Sequence, residues 1–477
     1  MKEYDLIVIG TGTGMELANA FLQENSAAKI VVIDKDEPGG ICLTRGCIPS
    51  KLLLYPADVV RTIERAEKFG IKAEIQKIDT SFVLERMRTS IKRDIEAIRN
   101  GLTKTPNIEY FHEAAEFIAP YTVKVGDQTI SAKMIFLSIG SRPVIPKIEG
   151  LEKVGYLTSD TILSVLKLPS SIGIIGGGYI GAEYGHFLSA MGCKVTIIGS
   201  NPRIIPEEEP EISRLAKREM EKHILIHTGY QVKRVEKTLN GKKRIIGINP
   251  ETQKEVKVEV DEILVAVGRR ANTDILHPER AGIKINDQGF IVVNEYMESS
   301  QPNIWVVGDA NGIYMFKHVA NYQAQVVYDN AILKNQVKAD FTAVPHAVFS
   351  DPEIASVGLK EAEAIAKYGK DNVVIGFTKF ADTAKGEAMS LEDEFVKVIL
   401  ERGTWKILGA HIIGPQASIL IQEIVDLMYT PERNSEPLTS AMHIHPALSE
   451  VVERAFRSLM IPDQYHHIMQ EHMQLED

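Results

Sequence analysis

The chain has 477 residues, which is too long for one ordinary hydrophobic core and indicates roughly three domains. Hydrophobic residues make up 44% and charged residues 25%, as is typical of a globular protein, and the net charge of −10 argues against broad electrostatic binding to nucleic acid or to an anionic membrane. No segment approaches the roughly 20 apolar residues that cross a bilayer, and the short apolar run at the N-terminus is unlike a secretory signal, so we predict a cytoplasmic location.

Two segments of the chain predict the same strand–helix–strand unit. The predicted elements are 6–9, 16–25 and 29–33 in the first unit, and 171–175, 179–191 and 194–198 in the second. The strands are continuous apolar runs, which are typical of buried parallel strands. The repeat predicts an α/β protein with two Rossmann-like nucleotide-binding units.

The remaining segments complete the predicted architecture. We expect helices at 50–70 and 80–102, strands within 122–139, and a further buried strand at 303–307. From about residue 345, strands and helices continue without a glycine fingerprint, which predicts a separate C-terminal domain.

The second unit carries the fuller glycine fingerprint, Gly176-Gly-Gly178-Tyr179-Ile-Gly181. In this pattern the first glycine allows a tight turn, and Gly178 lets the backbone approach a pyrophosphate. Gly181 lets the helix pack close to its strand, and the helix N-terminus faces the phosphates. Because the pattern lies between a strand and a helix, it predicts a dinucleotide site.

The first unit reads Gly10-Thr-Gly12-Thr-Gly14-Met15, so a methionine stands at the third fingerprint position. We expect this methionine to cost some close packing of the helix on the strand. Asp34 ends the next strand, where an acid that binds a ribose belongs. The segment therefore also predicts a dinucleotide site.

No acid stands at the equivalent place in the second unit, where the sequence is Gly199-Ser200-Asn-Pro-Arg203. An acid there would favour the 2′-hydroxyl of NAD, whereas a basic residue would favour the 2′-phosphate of NADP. These residues leave both cofactors open, with a lean to NADP.

The chain has three cysteines, and two of them, Cys42 and Cys47, lie in one short segment. In a reducing compartment such a pair is typical of catalysis or metal binding rather than of a structural disulfide. A four-ligand zinc site would need further soft ligands nearby, and we expect no metal site. Two thiols at the start of a helix can form a redox-active disulfide, because the helix N-terminus stabilises a thiolate.

The segment Cys42-Leu-Thr-Arg-Gly-Cys47-Ile-Pro-Ser-Lys51 resembles the active-site signature of the dihydrolipoamide dehydrogenase and glutathione reductase family, the class I pyridine nucleotide-disulfide oxidoreductases. The resemblance covers the whole chain. Its further motifs, in the family's order, are Ile139-Gly140, Val267-Gly268-Arg269-Arg270-x-Asn272-Thr273, Val307-Gly308-Asp309 and His445-Pro446-x-x-x-Glu450.

The resemblance implies a division of the chain and a set of cofactor contacts. It implies an FAD-binding domain at 1–147, a nicotinamide-nucleotide domain at 148–272, a central segment at 273–342 that returns to the FAD domain, and an α+β interface domain of a homodimer at 343–477. Asp309 is implied to contact the ribityl and pyrophosphate part of FAD. Gly140 and the main chain near Ala115 are implied to line the same cofactor, and Gly268 belongs to a further cofactor-binding motif.

The resemblance also implies roles for the cysteines and their neighbours. Cys47 is implied to lie against the flavin as the charge-transfer thiolate, and Cys42 to be the outer thiol that exchanges with the substrate through a mixed disulfide. Lys51 is implied to lie near the flavin and to pair with Glu183 of the second unit. Without the surrounding motifs, we would interpret Lys51 and Glu183 as an ordinary surface pair.

His445 is the candidate general acid–base, because imidazole titrates near the working pH. Glu450 is expected to hold its second nitrogen and fix the tautomer. The resemblance implies that this pair reaches the site from the other subunit. His443 is expected to be structural.

Several residues leave alternatives open. Tyr179 resembles the gating tyrosine of glutathione reductases or is a surface aromatic. Arg45 favours thiolates or an anionic substrate, or is simply solvated. Cys193 is expected to be a small packing residue. For the C-terminal His466, His467 and His472, the spacing is unlike a helical zinc pair, and we expect a tail or a surface helix at 461–477.

The absence of some family motifs, and the presence of others, narrows the range of possible substrates. No cysteine follows Cys193, which disfavours the mercuric reductases and the large thioredoxin reductases of the family. The ending His443-Ile-His445-Pro-Ala-Leu-Ser-Glu450 resembles that of dihydrolipoamide dehydrogenases, whereas the first glycine loop, the segment 182–186 and the missing acid at Gly199 resemble mycothione reductases. We place oxidation of dihydrolipoamide with NAD first, with any lipoyl group carried by a partner protein. NADPH-dependent reduction of a low-molecular-weight disulfide stands second, and a non-catalytic flavoprotein is disfavoured because the thiols and the His–Glu pair are present.

Overall fold

The computed structural model describes residues 1–472, and side chains through residue 470. The first region of the chain contains the strands β1 (Lys2–Ile9), β2 (Ile30–Ile33), β3 (Ile108–Phe111), β4 (Ala115–Ala119), β5 (Thr122–Val125) and β6 (Gln128–Leu137). It also contains the helices α1 (Gly14–Glu24), α2 (Gly40–Thr44), α3 (Cys47–Glu64) and α4 (Thr80–Lys104). The predicted helix at 50–70 thus begins earlier, at the second cysteine, and ends earlier.

These strands form one sheet in the order β3-β2-β1-β6-β5-β4. β1 pairs in parallel with both β2 and β6, whereas β4, β5 and β6 pair antiparallel. Leu6, Ile7 and Val8 are fully buried, because the sheet is covered on both faces there. This burial explains why the first strand is a continuous apolar run rather than an alternating one.

The second region repeats the arrangement. Its elements are β7 (Ser141–Pro143), α5 (Leu151–Val154), β8 (Leu157–Thr158), β9 (Ser171–Ile175), α6 (Tyr179–Ala190), β10 (Lys194–Gly199), α7 (Pro210–Met220), β11 (Leu225–Thr228), β12 (Gln231–Lys237), β13 (Lys243–Ile248), β14 (Glu255–Val260) and β15 (Glu262–Val265). A parallel sheet has the order β11-β10-β9-β15-β8, and β12, β13 and β14 form a separate antiparallel sheet.

The chain then returns to the first region. The returning elements are β16 (Arg269–Ala271), α8 (Thr273–Leu276), β17 (Ile304–Val306) and α9 (Lys317–Val327). β16 pairs antiparallel with β7, and β17 joins the first sheet in parallel beside β6. The predicted strand at 303–307 therefore lies in the first sheet. The four predicted domain ranges stay a prediction.

The C-terminal region is built on an antiparallel sheet. Its elements are β18 (Pro345–Val348), β19 (Ile354–Gly358), α10 (Glu361–Tyr368), β20 (Val373–Lys379), α11 (Ala384–Ala388), β21 (Phe395–Glu401), β22 (Ile407–Ile413), α12 (Ala417–Met428), α13 (Glu436–Ser440), α14 (Ser449–Arg457), β23 (Leu459–Met460) and α15 (Pro462–His472). The strand order is β18-β19-β22-β21-β20-β23. Mixed helices and antiparallel strands agree with the predicted α+β class. Within the described residues, no helix is long and apolar enough to span a membrane.

A buried charged cluster joins the second region to the C-terminal region. The Lys397 ammonium is fully buried and lies 2.5 Å from Glu211, 2.7 Å from Glu361 and 3.4 Å from Glu209. Burial alone would disfavour the charged ammonium, but the three carboxylates raise the pKa of Lys397. Because a buried charge is tolerated only when it is paired, this cluster fixes α7 against the C-terminal sheet.

Candidate active site

One large cleft, of about 1010 Å³, runs between the two glycine loops and the cysteine helix. Its lining includes most of the residues that the sequence singled out: Gly10, Gly12, Asp34, Cys42, Cys47, Lys51, Ala115, Gly140, Gly176, Gly178, Tyr179, Glu183, Ser200, Gly268 and Asp309. The volume matches the upper end of ordinary ligand pockets. A cleft that touches both glycine loops fits two dinucleotides that meet near the cysteines.

The first glycine loop has a backbone that only glycine tolerates. Gly10 has a φ of +102°, and a Cβ there would lie 2.2 Å from the carbonyl oxygen of Ser138. Close helix packing is provided by Gly14 instead of Met15, since a Cβ on Gly14 would lie 2.4 Å from Ser138 Oγ. Helix α1 begins one residue later than the fingerprint suggests, and Gly14 makes the close approach, whereas the packing cost of Met15 stays a prediction.

Asp34 braces this loop. Its Oδ2 accepts hydrogen bonds from the Thr11 backbone N–H at 2.7 Å and from Thr11 Oγ1 at 2.5 Å, and its Oδ1 accepts one from the Asp36 N–H at 3.0 Å. Thr11 Oγ1 in turn accepts a hydrogen bond from the Gly39 N–H at 3.0 Å. The strand-end acid thus connects the glycine loop to the segment that leads to the cysteines, and its ribose contact stays a prediction.

The two thiols of the cysteine pair are free and lie in hydrogen-bond contact. Cys47 is the first residue of α3, where the helix dipole favours an anion. The hydrogen bond from Cys42 and the nearby Lys51 lower the pKa of Cys47 to about 6, although burial and Glu183 oppose this. The same hydrogen bond, together with burial, raises the pKa of Cys42. At neutral pH Cys47 is the thiolate and Cys42 keeps its proton.

Lys51 and Glu183 are brought together from the two nucleotide-binding units. Lys51 Nζ lies 2.9 Å from both carboxylate oxygens of Glu183. The Phe349 N–H donates to Glu183 at 3.1 Å, and Lys51 Nζ lies 4.4 Å from the centre of the Phe349 ring. Both charged residues line the cleft, so this is not an ordinary surface pair.

Arg45 and Asp309 are held by polar partners. Arg45 forms ion pairs with Asp36 of the first region and, at 3.2 Å, with Asp160 of the second. It lines the cleft and is not simply solvated, and its effect on thiolates or on an anionic substrate stays a prediction. Asp309 accepts a hydrogen bond from Ser141 Oγ, which itself accepts one from Arg269 Nε at 2.8 Å.

The second glycine loop repeats the first in its backbone and differs in its surroundings. Gly176 has a φ of +122°, and a Cβ on Gly181 would lie 2.2 Å from the Gly176 carbonyl oxygen. A Cβ on Gly178 would meet no atom within 4 Å, which leaves open space where a pyrophosphate would approach. Ser200 and Arg203 line this end of the cleft after β10.

Sequence reasoning missed two residues of the cleft wall. His346 lies beside Tyr179, whose hydroxyl is 3.2 Å from His346 Nε2, so Tyr179 is not a surface aromatic. Lys317 begins α9 and donates to Thr13 Oγ1 at 2.9 Å. Neither residue belongs to a local motif, and each meets its partner only through the fold.

His445 and Glu450 form the predicted pair, but the pair lies away from the cleft of its own chain. His445 Nδ1 is 2.9 Å from Glu450 Oε1, and the Ala447 N–H donates to Glu450 Oε2 at 3.1 Å. The hydrogen bond from His445 lowers the pKa of Glu450. The His445 side chain is 67% exposed and does not line the cleft of its own chain. Within one chain, the structure does not bring this pair to the cysteines.

The other histidines and the third cysteine are packed or paired. His443 Nδ1 lies 3.2 Å from the Ala441 carbonyl oxygen, and His466 Nε2 lies 2.6 Å from Glu361 on a helix that is docked rather than free. The side chain of His472 and the expected tail at 473–477 lie outside the described residues. Across the part of the chain that the structure describes, no group of side chains could hold a metal ion. Cys193 is buried, and burial raises its pKa to about 11.

Comparisons with known proteins agree with this geometry. The family described as Pyridine nucleotide-disulphide oxidoreductase matches residues 4–324, and its dimerisation domain matches residues 344–456. Mycothione reductase of Mycobacterium tuberculosis is 34% identical over 471 residues, covering 96% of this chain and 100% of the relative. Dihydrolipoyl dehydrogenase of Synechocystis is 34% identical over 471 residues, covering 95% and 98%. The Cu(II) complex of the HOCl-induced flavoprotein disulfide reductase RclA from Escherichia coli has a TM-score of 0.84 and 26% identity, covering 96% and 99%.

These matches confirm the predicted fold class, the predicted enzyme class, and FAD with a nicotinamide nucleotide as cofactors. The dimerisation domain supports homodimer formation. The chain belongs to the class I pyridine nucleotide-disulfide oxidoreductases.

Proposed function

We propose that this enzyme is an NADPH-dependent reductase of a low-molecular-weight disulfide. The observation that carries this choice is the end of β10, where Ser200 and Arg203 line the cleft and no carboxylate follows the strand. Among the described residues, the Arg203 guanidinium has no hydrogen-bond or ion-pair partner. A cation at this place suits the 2′-phosphate of NADP, whereas NAD-specific sites place an acid there. Glu207 also lines this end of the cleft, and its negative charge makes the expected preference for NADP over NAD a moderate one.

The cysteine pair supplies the exchange chemistry. The first glycine loop would hold FAD, which would supply two-electron transfer from the nicotinamide to the cysteine pair. Deprotonated Cys42 attacks one sulfur of the substrate disulfide, and the first thiolate leaves. Cys47 then attacks Cys42 Sγ, which releases the second thiolate and closes the Cys42–Cys47 disulfide. One disulfide is reduced and one is formed in this half-reaction, and the two electrons of NADPH re-open the Cys42–Cys47 disulfide to complete the turnover.

A base is needed for this step, because Cys42 keeps its proton at neutral pH. We propose that His445 of the second subunit is that base, oriented by its hydrogen bond to Glu450. Its exposure in the single chain supports this proposal, since an exposed His–Glu pair at the end of a dimerisation domain can reach a neighbouring cleft.

Dihydrolipoamide dehydrogenase is the second candidate. It is favoured by the ending 443–450 and by relatives named dihydrolipoyl dehydrogenase. In that case the same thiols oxidise a dithiol and NAD accepts the electrons. The lipoyl group would come from a partner protein.

A steady-state assay of the purified protein separates the two candidates. NADPH and NADH are tested with mycothione, glutathione disulfide and cystine-type disulfides, and dihydrolipoamide is tested with NAD and NADP. We expect NADPH-driven reduction of one small disulfide with a kcat/KM of roughly 10⁴ M⁻¹s⁻¹ or above, the lower end for ordinary enzymes. Equally efficient oxidation of dihydrolipoamide with NAD, and weak disulfide reduction, would instead support the second candidate.

Two variants test the proposed roles of the thiols and the histidine. Cys42→Ala should abolish disulfide turnover while FAD stays bound, and retained turnover would contradict its exchange role. Inactive Cys42→Ala and His445→Ala chains, mixed as verified heterodimers, should regain part of the activity. No recovery in such heterodimers would contradict a site shared between subunits.

A further inference from the structure

One histidine lies where three regions of the chain meet. His346 is on β18 of the C-terminal region and lines the cleft. Its ring stacks on Tyr179 of the second glycine loop, with ring centres 5.5 Å apart, and on Phe316 of the returning segment, with ring centres 5.8 Å apart. Both distances are typical of favourable aromatic pairs. His346 is therefore the middle ring of a stack that forms one wall of the cleft.

A buried carboxylate holds the polar edge of this stack. Glu208 is 1% exposed, its Oε1 lies 2.7 Å from His346 Nε2, and its Oε2 accepts a hydrogen bond from Ser356 Oγ at 2.6 Å. The Tyr179 hydroxyl lies 3.2 Å from the same Nε2 of His346 and close to the charge of Glu208. Burial and the nearby Glu208 raise the pKa of Tyr179, so its hydroxyl stays protonated and donates.

The segment that carries Glu208 is itself fixed to the C-terminal region. Glu209 accepts a hydrogen bond from the Glu361 N–H at 2.6 Å, and Glu211 pairs with Lys397 at 2.5 Å. A fully hydrogen-bonded buried carboxylate on such a segment has one orientation. Tyr179 is thus restrained by its stacking and by its hydroxyl, through residues that are fixed to the C-terminal region.

We propose that His346, held by Glu208, is a positioning residue that fixes the Tyr179 side chain as one wall of the nicotinamide pocket. This inference rests on the proposed binding of the nicotinamide nucleotide to the second glycine loop. A side chain that is already ordered spares the bound nucleotide the entropic cost of ordering it, about 0.5–1.5 kcal/mol per immobilised side chain, which is roughly 3- to 10-fold in affinity. The effect belongs to nucleotide binding and not to disulfide exchange.

Anaerobic stopped-flow reduction of the holoenzyme by NADPH tests this proposal. The loss of flavin absorbance gives the dissociation constant and the limiting rate of reduction separately. His346→Ala and Tyr179→Phe should each raise the dissociation constant roughly 3- to 10-fold. The double variant should fall short of the product of the two single effects, because both changes remove one shared interaction. Re-oxidation of the reduced enzyme by the disulfide should stay within about twofold of the unmodified enzyme, the usual error of additivity.

Two further variants separate positioning from stability. His346→Gln keeps an N–H that can donate to Glu208 and should recover part of the affinity. Ser356→Ala removes one hydrogen bond to Glu208 but leaves the contact of Glu208 with His346 in place, so it should lower the melting temperature and raise the dissociation constant less than His346→Ala does. FAD content and melting temperature are measured for every variant.

Three outcomes would overturn the inference. They are an unchanged dissociation constant in His346→Ala, an equal loss of affinity in Ser356→Ala, and strictly multiplicative effects in the double variant. If NADH reduces the unmodified enzyme and NADPH does not, the proposed nucleotide preference fails. The same variants then test the role of His346 with NADH. A failure of the nucleotide preference is thus distinguishable from a failure of the proposed role of His346.

Discussion

The two nucleotide-binding units share a backbone and differ in what surrounds it. Gly10 and Gly176 have φ values of +102° and +122°, and a Cβ on either would lie 2.2 Å from a carbonyl oxygen of a neighbouring strand end. The first loop is tied to Asp34 through Thr11, whereas the second is followed by a cleft wall that contains Arg203, whose guanidinium has no polar partner within residues 1–470. We therefore expect the glycine loops to set where the dinucleotides bind, and their neighbours to set which dinucleotide binds.

The largest expected effect comes from the same substitution in both loops. Gly10→Ala should yield protein without bound FAD and without turnover, because neither φ nor the Ser138 carbonyl tolerates a Cβ. Gly176→Ala should keep FAD, but NADPH should reduce this FAD roughly 10- to 100-fold more slowly, because an alanine at position 176 adds about 1–3 kcal/mol of backbone strain. FAD content, measured by absorbance, and the rate of stopped-flow reduction by NADPH check both variants. Loss of FAD in Gly176→Ala would show that the units are not separable.

A second comparison concerns helix packing. Gly181→Ala should lower the free energy of unfolding by about 1–3 kcal/mol, since its Cβ would meet a backbone carbonyl that cannot yield. Gly14→Ala should cost less, because its nearest neighbour is the Ser138 hydroxyl, which can rotate. Adding Ser138→Ala should recover part of the Gly14→Ala loss. Denaturant unfolding of the holoenzyme measures all three, and a larger cost for Gly14→Ala would contradict the difference.

Arg203 gives the direct test of nucleotide choice. Arg203→Gln should raise the KM for NADPH roughly tenfold, the value of one charge-assisted hydrogen bond of about 1.5 kcal/mol, and leave the KM for NADH unchanged. Arg214→Gln is the matched control, since Arg214 is exposed on α7 and does not line the cleft. Equal changes for both nucleotides would mean that Arg203 does not recognise the 2′-phosphate.

The smallest expected effect lies where the two units meet. With a pKa of about 6, Cys47 is a thiolate above pH 6 and becomes protonated as the pH falls through 6. Cys42→Ala removes the larger stabilising contact and should move this midpoint upward most, Lys51→Met should raise it by about one pH unit, and Glu183→Gln should lower it. The pH dependence of iodoacetamide modification of Cys47, followed by peptide mass spectrometry, measures the midpoint. An unchanged midpoint in Glu183→Gln would show that the second unit does not affect the pKa of the Cys47 thiol.

The sequence predicted the features that depend on local pattern. Buried parallel strands appear as apolar runs, and the cysteine helix and both glycine turns appear as motifs. The close approach of Gly14 was not predicted, because the helix begins one residue later than the fingerprint suggests. The partners of Tyr179 and Arg45 could not be predicted, because they depend on contacts between distant segments, such as that of Tyr179 with His346. The position of the His445–Glu450 pair is likewise fixed by packing rather than by its motif.

The cluster around Lys397 has a consequence for how this protein can evolve. Removing the ammonium would leave three carboxylates from two regions facing one another without their shared lysine. Removing two of the carboxylates would leave a buried cation short of partners. Replacing Lys397 alone is therefore costly, so a lineage can lose the ammonium only together with replacements of its carboxylate partners. We therefore expect the residues at positions 209, 211, 361 and 397 to change together among relatives, so that the total charge of the cluster stays the same.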